Sequence, residues 1–315
     1  MMISNSYNTN FQKALKEEYK KITGDARSIQ LPDPDQFQLS GDKKILHVYM
    51  RTDAVLRNIQ ENVAAFEGWI VALKAWDCVD KAVLDWQEPM DKADGNYQRF
   101  LYRVDRFRQS FPWFSVTREE LLNESKLLHT KKLVLNGPTR IAKQDPDQRS
   151  LEAELEMHLA DSDWLKNEFH LVKTGRQFPV GLFTESVANK NKVFTAGKSA
   201  IDLVGIDRNN ELWVFELKAK GNQGLGIISE LLFYTSMMSD LANGIFSYED
   251  NSPPAPEGRL HPSEIVGVKK IHGCLLAPKF HPLLDYDRIL NLLNRSTSQM
   301  IDYGPFKILP EVISA

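Results

Sequence analysis

Ala200-Ile-Asp-Leu-Val-Gly-Ile-Asp-Arg-Asn-Asn-Glu-Leu-Trp-Val-Phe-Glu-Leu-Lys-Ala-Lys220 is the stretch from which the fold is read. Two apolar runs flank Asp207-Arg208-Asn209-Asn210, whose Asn residues tolerate the positive φ of a tight turn. The pattern predicts a hairpin with strands over 200–206 and 211–218. In the first strand Ile201, Leu203 and Ile206 are apolar, while Asp202 is an acid in a half-buried stretch. In the second, Glu216 and Lys218 stand two apart among Leu212, Val214, Phe215 and Leu217, so period two places both charges on one face. Burying such charges costs several kcal/mol unless they pair or meet a metal. The hairpin sets Asp202 beside Glu216, and two convergent carboxylates repel unless a hard divalent cation lies between them.

Outward from the hairpin, residues 151–160 read as a helix with Leu151, Leu155 and Leu159 as its buried stripe. Glu152 and Glu156 are four apart and share a face, so either can supply a third acid. A strand over 176–183, a helix over 225–241, a strand over 270–276, a helix over 283–294 and a short strand around 306–309 complete the pattern. Strands interleaved with helices, one pair of them a hairpin, predict an α/β sandwich with a mixed central sheet flanked by helices.

The polar stretch 142–150 reads as a linker, dividing the chain into 1–145 and 146–315. The first part reads as a mostly helical α+β domain. Its apolar positions Val55, Leu56, Ile59, Val63, Phe66, Ile70, Leu73 and Trp76 predict a helix within 53–86, and strands are expected over 44–50 and 132–135. Residues 97–116 mix aromatics with Arg99, Arg103, Arg106 and Arg108, which reads as an amphipathic helix with a solvated basic face; stacking on nucleic acid is the alternative. The role of this part stays open between recognition and dimerisation, so a homodimer stays open too.

The 315 residues carry 39 Lys and Arg against 42 Asp and Glu, a net charge of −3, which excludes a uniformly basic nucleic-acid binder. Residues 1–145 hold 22 basic and 20 acidic residues and 146–315 hold 17 and 22, while 166–198 holds six basic residues against two acids. The average therefore hides an acidic cluster beside a basic approach path. Cys78 and Cys274 are isolated and read as buried small hydrophobes. No apolar run approaches the ~20 residues of a membrane span, and no signal-peptide pattern opens the chain, so a soluble cytoplasmic protein without a membrane partner is expected. Seven His residues without HxH or HExxH spacing argue against zinc. Gly221-Asn-Gln-Gly-Leu-Gly226 lacks both GxGxxG and the GK[ST] ending, which argues against a nucleotide loop.

The segment resembles the PD-(D/E)xK nuclease superfamily, in the branch of RecB-like and archaeal-type endonucleases, over roughly residues 150–280. The pattern it carries is an acid on a first helix (Glu152 or Glu156), Asp202 on one strand, and Glu216-Leu217-Lys218 on the next. Arg176-Gln177-Phe178-Pro179-Val180-Gly181 and Gly273-Cys-Leu-Leu-Ala-Pro278 are similar to this branch as well. Where relatives carry Gln-x-x-x-Tyr on the following helix, this chain has Glu230-Leu-Leu-Phe-Tyr234, matching at Tyr234 and departing at Glu230. The resemblance implies a restriction-endonuclease-like core and a Mg²⁺-dependent nuclease (Mn²⁺ substituting), acting on nucleic acid, DNA before RNA. Asp202, Glu216 and the backbone carbonyl of Leu217 would hold the metal, and Lys218 would hold the attacking water, lower its pKa or stabilise the phosphorane. Glu152 would orient a metal-bound water or a second ion, with Glu156, Gln177, Lys220 and Tyr234 in support. The alternative is a catalytically silent nucleic-acid-binding or scaffold protein that keeps this fold.

Overall fold

The computed structural model describes residues 4–25, 29–59, 65–138, 150–194, 199–219, 224–249, 254–284, 287–296 and 299–309. Contacts divide the chain into two units, one of Met1–Leu128, Gly224–Glu230 and Phe280–Thr297, the other of His129–Gln223, Leu231–Lys279 and Ser298–Ala315. The stretch 142–149, Lys220 and Val63 lie outside the described residues.

In the first unit, α1 (Ser4–Thr23) precedes β1 (Phe37–Gly41) and β2 (Ile45–Met50), followed by the short α2 (Thr52–Val55) and α3 (Phe66–Ala75). Next come β3 (Lys81–Trp86), α4 (Gly95–Ser110) and β4 (Phe114–Val116). The sheet order is β1-β2-β3-β4, with β1 antiparallel to β2 and the other pairs parallel. This corrects the helix expected over 53–86. Apolar positions at helical spacing stop at Trp76, Asp77 takes φ +56, and residues 81–86 then alternate exposed or half-buried with buried. Period two replaces period 3.6, and the strand pairs with β2. Gly68 in α3 matters because a Cβ there would lie 2.3 Å from the Leu225 carbonyl oxygen. Its N–H donates to Ser229 Oγ at 3.1 Å.

The expected solvated basic face of 97–116 is corrected in part, since Arg106 and Arg108 keep some exposure. Arg99 and Arg103 are buried in α4. Arg99 Nη2 donates to the side-chain oxygens of Asn58 and Asn96 at 2.9 Å each, and Arg103 pairs with Glu67. These guanidiniums bind side chains of their own unit and are covered from a nucleic acid.

The second unit opens with β5 (Leu133–Leu135). Its core follows: α5 (Leu151–Asp161), α6 (Asp163–Glu168), β6 (Leu171–Pro179), β7 (Leu182–Thr184), β8 (Lys192–Phe194), β9 (Ala200–Asp207) and β10 (Leu212–Leu217). After them come α7 (Gly226–Ala242), β11 (Phe246–Tyr248) and β12 (Ile271–Ala277). Then α8 (Arg288–Ser296), which is assigned to the first unit, precedes β13 (Ile301–Tyr303) and β14 (Lys307–Ile308). The main sheet runs β13-β12-β10-β9-β6, with β14 also on β12. The pairs β6/β9 and β9/β10 are antiparallel, and β10/β12 is parallel. A smaller sheet runs β11-β5-β7-β8.

The strand expected over 176–183 is in fact two. β6 begins at Leu171, Gln177 takes φ +47, Pro179 ends the strand, and Leu182–Thr184 joins the smaller sheet. The helix expected over 283–294 begins at Arg288, after a 3-10 turn over Pro282–Leu284.

Layering follows from strand alternation. Leu203, Phe215 and Leu217 share a cluster with Leu155 and Leu159, so α5 covers that face of the sheet. Leu151, expected in the same stripe, is 64% exposed, because the buried stripe starts one turn later. Val214 pairs with Gly273, where an added Cβ would meet Thr235 Cγ2 of α7 at 2.9 Å, so α7 lies on the other face. Asp202, Glu216 and Lys218 alternate with the α5-facing residues and therefore belong to the α7-facing side.

Candidate functional site

The β9–β10 turn closes the hairpin on which the site depends. Asp207 N–H donates to the Glu211 carbonyl at 3.1 Å, Asn210 N–H donates to the Asp207 carbonyl at 3.2 Å, and Asn210 takes φ +62. Leu212 then pairs with Ile206, and Phe215 with Leu203. One step further along this antiparallel ladder, Asp202 faces Glu216.

The half-buried Asp202 accepts the Leu217 N–H through Oδ2 at 3.0 Å. Its carboxylate is therefore anchored on the backbone between Glu216 and Lys218. A strand residue sends its N–H and C=O toward the same neighbour, so the Leu217 carbonyl leaves β10 on the Asp202 side. The Lys218 N–H points the other way, to the Leu276 carbonyl at 3.1 Å. Glu216 is buried, and its Oε1 accepts from Lys218 Nζ at 2.7 Å. The two acids and the lysine thus share one end of the hairpin, as their spacing predicts.

The first-helix acids lie on α5. Ser150 caps α5, its Oγ accepting the Ala153 N–H at 3.1 Å, and fixes where the acidic face begins. Glu156 is buried and accepts from Arg176 Nε at 2.8 Å and from the Gln177 side-chain amide. Both partners lie on β6, the edge strand, so Glu156 is held at the sheet margin by two donors. Glu152, one turn earlier, is half-buried. Among the described residues, no three His, Cys, Asp or Glu side chains converge in a metal-holding arrangement. Tyr234 and Glu230 are both buried in α7.

The donor set at the hairpin suits a hard cation: two carboxylates and a backbone carbonyl, all oxygen, without the nitrogen or sulfur that would favour zinc. Cys78 and Cys274 are buried and unlinked, as expected. Burial pushes the Cys78 thiol up to about 12 and Cys274 well above its ordinary value, so both are poor nucleophiles.

Arg259 is the neighbour that sequence reading missed. It follows the Pro-rich loop and is half-buried. The loop lies along β6, because the Arg176 N–H donates to the Gly258 carbonyl at 3.0 Å. The signal for this contact was Gly175, one residue before the expected strand. A Cβ there would sit 2.7 Å from Leu260 N, and strand glycines often mark such close backbone approaches.

No protein-family model, curated protein or solved structure matches this chain. Among the described residues, no helix is long and apolar enough to cross a membrane.

Proposed function

We propose that the second unit is a Mg²⁺-dependent nuclease hydrolysing phosphodiester bonds, with DNA as its substrate, on a restriction-endonuclease-like core. The observation that carries this reading is the anchoring of Asp202 on the Leu217 N–H, with Lys218 on Glu216 beside it. The element order supports it: an acidic helix, a three-strand antiparallel run carrying Asp then Glu-x-Lys, a helix, and a strand parallel to the third.

Asp202, Glu216 and the Leu217 carbonyl would hold the cation, which when bound supplies Lewis acidity and a more acidic water. The chain's own part is electrostatic. Lys218 sits where low polarity strengthens its field, so its ammonium stabilises negative charge gathering on a phosphate at the carboxylates. The Leu217 N–H fixes the Asp202 carboxylate, so its position is set before substrate arrives.

The test is cleavage of plasmid and single-stranded DNA and of RNA by the purified chain with Mg²⁺ or Mn²⁺. Glu216→Ala and Lys218→Ala should each lower the rate by about 10³-fold or more while the protein stays folded. Intact substrates with the wild-type chain under all of these conditions sink the catalytic reading. One observation favours the silent scaffold as a second reading: Glu156 is engaged by Arg176 and Gln177, and among the described residues no third acid completes a metal-holding group.

A further inference from the structure

At the turn end of the β9–β10 hairpin, a cavity of about 460 Å³ lies within the second unit, bounded by β6, the turn and Glu264. That volume is in the range of small-molecule sites. Its apolar lining is Val172 and Ile206. Leu171 pairs with Asp207 and Lys173 with Ile206, so Val172 is an extra residue on β6, a bulge with no partner on β9. Bulges re-aim a side chain, and here a β-branched apolar residue is left 56% exposed at the cavity.

The polar lining has more donors than acceptors to offer. Asp207 Oδ1 accepts the N–H groups of Asn209 and Glu211 at 2.8 and 3.0 Å. Glu264 accepts from Lys173 Nζ through Oε1 at 2.6 Å and from the His261 N–H through Oε2 at 2.9 Å. Lys173 and Glu264 therefore cancel, and two backbone dipoles of the turn hold the Asp207 charge. Arg208 is different: it lines the same cavity, is exposed, and makes no ion pair or hydrogen bond among the described residues. Beside it, Asn210 Nδ2 gives a single long bond of 3.4 Å to the Gly267 carbonyl. The charge that an entering molecule meets is one guanidinium, whose planar fork matches two oxygens of an oxyanion.

We infer that this cavity is a binding site for a small organic carboxylate, its two oxygens on Arg208 and its apolar body against Val172 and Ile206. A single unmatched positive charge suits a single negative one, which selects a carboxylate over a phosphate dianion. The site is separate from Asp202 and Glu216 and does not rest on the nuclease reading.

The test titrates benzoate into the full chain by calorimetry at constant ionic strength, without divalent metal, beside benzamide and phenyl phosphate. Benzoate should bind saturably with a Kd on the order of 1 mM, and benzamide at least about tenfold more weakly. Arg208→Gln should weaken benzoate about tenfold or more, and Val172→Ser about threefold. The melting temperature of Arg208→Gln should match that of the wild type, since the guanidinium bonds nothing in the fold. No saturable benzoate binding by the wild-type chain, or equal binding by Arg208→Gln, overturns the site. Phenyl phosphate binding more tightly than benzoate refutes the match of one charge to one. A lowered melting temperature for Arg208→Gln marks a structural arginine and also removes the proposal.

Discussion

Glu67 and Arg103 in the first unit, and Glu216 and Lys218 in the second, are acid–base pairs taken out of water to similar extents. Side-chain exposures are 2% and 4% for the first pair and 3% and 10% for the second. Their construction differs. Arg103 grips Glu67 through Nε at 2.7 Å on one oxygen and through Nη2 on the other, and lies over the Phe66 ring with 5.5 Å to its centroid. Both carboxylate oxygens are engaged by a rigid fork held on an aromatic face. Lys218 meets Glu216 through Oε1 alone, with a flexible amine, beside a second carboxylate on Asp202. A pair built for rigidity has no need of a neighbouring acid, which raises the local negative charge. The first pair is a clamp; the second is a single flexible contact at the end of a hairpin.

Removing one acid from each pair tests that difference with the largest expected effect on stability. Glu67→Gln leaves Arg103 charged, buried and half-partnered, and should cost about 3–5 kcal/mol of folding stability. Glu216→Gln removes a pairing but also relieves repulsion with Asp202, and should cost no more than about 1 kcal/mol while ending cleavage. Denaturant unfolding of the two variants, each followed through its own unit's aromatic residues, makes the comparison. Equal losses would erase the distinction between clamp and site.

The hairpin and its charges were legible because one local rule governs them. Alternation fixes which residues share a face, and the Asn-rich turn marks where the chain reverses, so spacing alone groups Asp202, Glu216 and Lys218 at one end of the hairpin. What was not legible depends on contacts distant in sequence. Residues 81–86 read into a preceding helix because the period changes from 3.6 to two over a few residues, and only pairing with β2 settles it. Arg99 and Arg103 looked like a solvated face because no local feature announces that Asn58 and Glu67 wait opposite them. Glu156 and Glu152 were indistinguishable on helical spacing alone. The partners that separate them, Arg176 and Gln177, stand on another element. Arg259 had no motif at all, and its loop reaches β6 through packing on Gly175 and the bond from the Arg176 N–H.

A pH series sharpens the comparison from the first unit's side. His281 is driven down to about 4 by burial, and its Nδ1 accepts the Leu283 N–H at 3.2 Å, a role only the neutral ring can fill. The unfolded chain takes up a proton below the ordinary value of about 6.5, while the native ring stays neutral until about pH 4. Stability should therefore fall as pH drops through that window, by at most about 3 kcal/mol, with no further loss from this group below it. In His281→Asn, whose carbonyl can accept the same N–H, the slope across the window should flatten. An unchanged slope would move the acid sensitivity to other groups, the carboxylates of the second unit included.

The smallest effect concerns how firmly the hairpin holds the site pair in place. Asn210 takes φ +62 and its Nδ2 donates to the Gly267 carbonyl at 3.4 Å, so Asn210→Ala loses a weak bond and strains the turn. The expected cost is about 1 kcal/mol, with Asn210→Gly closer to neutral. Cleavage should stay at the wild-type rate in both. A one-residue slip would turn Leu203, Phe215 and Leu217 away from α5, and burying that cluster outweighs the preference of one turn residue. If Asn210→Ala instead folds but no longer cuts, the turn rather than the core sets the register. The Asp202–Leu217 bond would then be the most fragile element of the site, whereas the Glu67–Arg103 clamp, held across two helices, depends on no such turn.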